Sequence, residues 1–133
     1  MLRFAPICLF ALACTGGDTS DLEIVGSFSD NFGGAHTITA DTWTMDGAGV
    51  FHITTFDNDA DFLIAQNDAN NEYNPDLWSR MDWFDAGTTL WFCQSAFDAA
   101  TEADALATAA ADPSDPATTG CGGFSWTQLT ATP

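Results

Sequence analysis

His36 and His52 are the only imidazoles in a chain of 133 residues, so a histidine-based metal site or general base must use them. If Gly47-Ala48 is a two-residue hairpin turn, Asp46 faces Gly49 and His52 faces Trp43. His36 then lies about 23 Å along the strand from the level of His52. The odd spacing also puts the two rings on opposite faces, so they cannot share an ion without a bulge. In that register Asp59 faces His36 and offers a His–Asp pair, whose plainer reading is a solvated surface pair. A Ser-His-Asp triad has no positioned nucleophile, because no Gly-x-Ser-x-Gly turn occurs.

A second chemistry is suggested by Asp57-Asn58-Asp59-Ala60-Asp61. Carboxylates at alternate positions, here Asp57, Asp59 and Asp61, can converge on calcium, with Asp68 or Glu72 added from the next loop. The EF-hand pattern then asks for glycine at the sixth position and glutamate at the twelfth, where this chain has Phe62 and Asp68. The site is a loose calcium loop or simply an acidic hairpin tip.

The third candidate is Arg80. With Trp78 and Asp82 it shares one face of a strand, while Met81 and Trp83 take the other. An arginine beside an acid and an indole is a structural ion pair with cation–π support, or, inside a barrel, a clamp for a ligand carboxylate. A carboxylate-based hydrolysis needs a defined acid pair, and no spacing singles one out.

Charge removes other functions. The chain has 19 Asp and Glu against two arginines, no lysine, and a net charge of −17. Such a polyanion repels nucleic acid and anionic lipid surfaces, and chemistry that needs lysine is excluded. Self-repulsion should lower stability at low ionic strength. At 46% hydrophobic residues the chain is too apolar for a disordered tail.

The elements that must position these groups are short β runs between turn clusters. They are Leu22 to Ser29, His36 to Met45, Val50 to Phe56, Phe62 to Gln66, Trp78 to Phe84, Thr88 to Ser95 and Phe124 to Leu129, seven candidate strands in all. An alanine-rich helix over Ala99 to Ala111 is expected before the last strand, capped by Asp98 and stopped by Asp112-Pro113. Leu106 is its only large apolar residue, so it should lie shallowly on the sheet. The fold class is mainly β, a small antiparallel barrel or sandwich in which one face of every strand is covered.

Residues 1–13 read as a signal peptide. Arg3 is the positive region, Phe4 to Ala13 the apolar stretch and Ala11-Leu12-Ala13 the cleavage pattern. Loss of Arg3 would take the net charge from −17 to −18. The apolar stretch is about half the length that spans a bilayer. Ala11-Leu12-Ala13-Cys14 resembles a bacterial lipobox, with leucine one place nearer the cysteine than usual, which implies lipidation at Cys14. Residues 14–21 are then a flexible tether and residues 22–133 a single β-rich domain. Cys93 and Cys121 are left to form a disulfide in an oxidising compartment, since they lack both a zinc ligand set and the Cys-x-x-Cys redox spacing.

Gly26-Ser27-Phe28 is similar to the Gly-x-Trp opening of lipocalin-like barrels, with Phe for Trp. Gln66-Asn67-Asp68, Trp78 to Trp83, Trp91-Phe92-Cys93-Gln94 and Cys121 to Trp126 resemble a group of small exported bacterial lipoproteins of uncharacterised activity. The resemblance implies export, a β-rich domain and an internal disulfide, and it implies no reaction.

The expectation is a non-catalytic, lipid-anchored envelope protein that binds a small molecule or a protein partner. It would sit in the outer membrane, periplasm or cell surface, meet the membrane only through its lipid, and need no cofactor. A calcium-dependent binding or adhesion module is the alternative, and a carboxylate hydrolase the third reading. Without the lipid the protein would be secreted.

Overall fold

The computed structural model describes residues 20–133. The signal peptide, Cys14 and most of the tether lie outside the described residues. Eight antiparallel strands, each paired with the next, close into a barrel. They are β1 (Gly26–Asp30), β2 (Ala35–Ile38), β3 (Thr42–Met45), β4 (Gly49–Asp57), β5 (Phe62–Asn67), β6 (Trp78–Asp85), β7 (Leu90–Ala99) and β8 (Thr127–Ala131). Closure comes from β1 pairing with β8, with Ser29 opposite Thr130. One short helix, α1 (Glu102–Leu106), precedes β8 and packs on β5, β6 and β7.

The eighth strand arises because the expected His36-to-Met45 run breaks in two. Thr39 Oγ1 accepts hydrogen bonds from the N–H groups of Asp41 and Thr42, so a side-chain turn separates β2 from β3. Leu22 and Ile24 keep the alternation of a strand, but β1 starts only at Gly26. Both side chains are buried in the core and stop one end of the barrel.

The helix is shorter than expected. β7 runs on to Ala99 and takes Asp98 into the strand, and Thr101 caps α1 instead, accepting from the Asp104 N–H at 3.1 Å. Ala105, not Leu106, is the buried contact, and Leu106 stays exposed. With no apolar stripe to bury, the alanines after Ala107 have nothing to hold them in a helix.

The interior is filled. Trp43, Leu63 and Met81 are 0% exposed, and Ile38, Phe51, Trp83, Phe92 and Leu129 belong to the same cluster. A barrel of about eight strands is just wide enough for side chains to fill. A second core lies outside the wall, under α1 and the strap that follows it. Ile64, Ala96, Cys93, Ala105 and Trp126 are buried there. The Cys93–Cys121 disulfide, with Cα atoms 5.7 Å apart, ties this strap to β7.

Candidate functional site

The histidines lie on opposite sides of the wall, with His36 buried in the barrel and His52 half exposed. Each pairs with an aspartate, but neither with Asp59. Met45 faces Gly49 and Trp43 faces Phe51, so the β3–β4 loop has three residues and the register moves by one from the two-residue expectation. Gly49 has φ +127°, and a Cβ there would collide with the Asn71 side chain, which bonds the Val50 N–H at 2.9 Å. His36 Nε2 meets Asp30 Oδ2 at 2.7 Å, and Trp43 Nε1 donates to His36 Nδ1 at 3.1 Å. With Nδ1 accepting from the indole and Nε2 facing the carboxylate, the ring is bonded on both sides. Burial pushes the Asp30 carboxyl up. Hydrogen bonds from His36, Gly34 and Phe32 outweigh that and hold it below the usual carboxylate range. His52 Nε2 lies 2.7 Å from Asp68 Oδ2 and lowers its pKa, at the surface.

Asp57, Asp59 and Asp61 do not converge. Asp57 Oδ1 accepts from the N–H groups of Asp59 and Ala60 and closes the turn. Asp61, at φ 60°, points instead toward Glu23 and Trp83. Among the described residues no group of three or more His, Cys, Asp or Glu side chains is placed to hold a metal ion.

Arg80 and Asp82 do pair, at 3.1 Å, but on the outer wall rather than in the barrel. The guanidinium lies 4.2 Å from the centre of the Phe62 ring, which takes the role expected of Trp78. Its remaining donors reach the carbonyls of Thr108 at 2.9 Å and Leu106 at 3.3 Å, closing the end of α1. Asp82 Oδ2 accepts from Ser95 Oγ, the bulge residue of β7, and from the Ala111 N–H. The cluster pins the strap to the barrel, and a ligand carboxylate in the interior cannot reach it.

Two features escaped the sequence. The first is a carboxyl pair at the stoppered end. Glu23 Oε2 accepts from Trp83 Nε1 at 3.0 Å, and Asp61 lies beside the same two side chains. Burial, followed by the charge and hydrogen bond of Glu23, raises the pKa of Asp61, and Asp85 adds to this. Glu23 and Asp85 border an open cleft of about 380 Å³ at this end, but Asp61 does not line it.

The second feature is apolar and lies at the opposite end. A cleft of about 590 Å³ is lined by Phe97, Ala109, Ala110, Ala111, Cys121 and Phe124. Phe97 and Gln94 also border a smaller hollow of about 210 Å³ with Tyr73 on its rim. Tyr73, Phe97 and Phe124 are 65%, 51% and 76% exposed. Their scaffold is rigid. Asn67 Nδ2 donates to the carbonyls of Asn74 and Phe97, Ser79 Oγ donates to Asn67 Oδ1, and Gln94 Nε2 donates to Ser79 Oγ. On the strap, Asp112 N–H donates to the Gly120 carbonyl, and Trp126 Nε1 donates to the Asp112 carbonyl. A Cβ at Gly120 would strike the Asp112 carbonyl oxygen. Exposed aromatics separated in sequence by turns and a disulfide loop carry no periodic signal, which is why they went unread.

No known protein family, curated protein or solved structure matches this chain.

Proposed function

We propose that the chain is an exported, lipid-tethered binding module that performs no catalysis and engages a protein partner on the outside of a filled barrel. The observation that carries this reading is the pair of adjoining clefts rimmed by Tyr73, Phe97 and Phe124, set against an interior already occupied by Trp43, Leu63, Met81 and Phe92. Large exposed aromatics on a rigid frame are what partner surfaces use as anchors. The lipobox-like segment at Cys14 supplies the tether, and membrane contact runs through that lipid alone.

Nile red, a neutral apolar dye, separates an outer site from an inner one. Its fluorescence should rise with the native domain, and the double variant Phe97→Ala, Phe124→Ala should abolish the rise. Dye binding that survives the double variant places an apolar site in the barrel and overturns the reading. The calcium-dependent alternative requires the melting temperature to climb with millimolar calcium. The hydrolase requires a substrate to reach Glu23 and Asp61 together. Absence of fatty-acid label on Cys14 would remove the tether.

A further inference from the structure

We propose that the cleft at the stoppered end binds a small organic cation, with an apolar body on the floor of the cleft and an ammonium group against Glu23 and Asp85. The site lies at the opposite end of the barrel from the aromatic-rimmed clefts and does not depend on them.

The floor follows from strand register. Leu90 faces Leu129 and Phe28 faces Ala131, so β7, β8 and β1 turn these four side chains to the inner face of the wall. Ala131 places only a methyl group at the rim, where a larger side chain would complete the stopper. The cleft of about 380 Å³ opens there, beside Ile24, Phe28 and Leu90. That volume suits a small molecule.

Two carboxylates complete the lining. Asp85 follows the core residue Trp83 by two places on β6 and so shares its inner side, while Glu23 belongs to the stopper. Each is positioned by one donor. The Trp83 indole N–H holds Glu23 Oε2 at 3.0 Å, and the Gly87 N–H holds Asp85 Oδ1 at 2.8 Å. No positive charge answers them. Among the described residues the side chains that can carry one are Arg80, His36 and His52, which pair with Asp82, Asp30 and Asp68. The imbalance is felt beside Glu23, where burial and then the Glu23 charge raise the pKa of Asp61, with Asp85 adding to it. An ammonium group brings N–H donors and the missing charge, and a chain of net charge −17 attracts cations and repels anions. A neutral molecule of the same shape would cover the carboxylates without pairing them, which costs affinity. A bare ammonium gains nothing from the floor.

The test titrates the ¹⁵N-labelled protein with phenylbutylamine, phenylbutanol and methylamine at neutral pH, where both amines are cations. Phenylbutylamine should bind at least about tenfold more tightly than either of the others, since the buried body and the charge-assisted hydrogen bond would each give that factor. Its amide shifts should centre on Val25, Thr88 and Ala131, a readout that needs no substitution. Asp85→Asn keeps an acceptor for the Gly87 N–H and should weaken binding about tenfold. Ala131→Leu fills the floor without touching either carboxylate and should weaken it at least as much. The double variant Phe97→Ala, Phe124→Ala should bind the amine as the native protein does. Equal binding of methylamine leaves only an acidic surface, equal binding of phenylbutanol only an apolar one, and either result overturns the inference. Shifts centred on Phe97 and Phe124, affinity unchanged by both Asp85→Asn and Ala131→Leu, or no binding of phenylbutylamine overturns it as well.

Discussion

The two ends of the barrel handle carboxylates in opposite ways. At the end with the long connections, Asp30 closes the β1–β2 turn and collects N–H donors from Phe32, Gly34 and His36. At the stoppered end, Glu23 takes the Trp83 indole N–H and Asp61 lies beside them, with Asp85 nearby and no cation among these partners. Burial raises both aspartates, yet Asp30 ends below its ordinary value and Asp61 above it. The difference lies in the neighbours: the His36 hydrogen bond, joined by two turn N–H groups, outweighs desolvation at Asp30, while the Glu23 charge adds to desolvation at Asp61.

The largest test of the contrast is at the long-connection end. Cys93→Ser with Cys121→Ser opens a loop of separation 28, which should cost about 3.5 kcal/mol on the loop-entropy model. Denaturant unfolding checks this, and the cleft end should open first in hydrogen exchange. At the other end, Ile24→Ala should cost about 2–3 kcal/mol, because its side chain lies in the barrel core. A loss well under 1 kcal/mol would mean that the stopper is not part of the cooperative unit.

The two aspartates give smaller effects of opposite sign. The depressed pKa of Asp30 contributes stability above the ordinary value of 3.8 that is lost as pH falls through its folded value. Asp30→Asn should therefore destabilise by about 1–2 kcal/mol at neutral pH and flatten the acid limb. Asp61 is raised, so the folded state holds its proton more tightly. Stability falls as pH climbs from 3.8 through the raised value and stays lower above it. Asp61→Asn should raise stability at neutral pH by no more than about 0.5 kcal/mol, given its solvent exposure, and change nothing in acid. Melting temperatures measured from pH 3 to 8 would check both aspartates.

Much of the barrel was legible in the sequence, because β-type runs stand between turn clusters, although Phe62–Asn67 and Trp78–Asp85 are covered on both faces rather than one. Closure was not, since it depends on β1 meeting β8 about a hundred residues away. The disulfide followed from elimination once export was assumed. The Arg80–Asp82 pair was visible from its spacing, but the face it occupies was not, because only the position of α1 makes the outer wall an interior. Reading His36 to Met45 as one strand places Asp59 opposite His36, whereas the turn at Thr39 puts His36 on β2 between β1 and β3. The extra loop residue moves only His52, from Trp43 to Thr42. Ala99 to Ala111 looked helical on propensity alone, and propensity without an apolar face gave way to β7 and the strap.

The stopper has a mechanical consequence. Asn58 grips the Asp21 carbonyl at 2.7 Å and the Glu23 N–H at 3.1 Å, while Leu22 and Ile24 sit in the core. Traction applied from the amino-terminal side therefore loads these two bonds and two side chains together, in shear, before any force reaches the β1 ladder. A module tugged from that side would stretch first at this clasp, with the aromatic-rimmed clefts at the far end still intact.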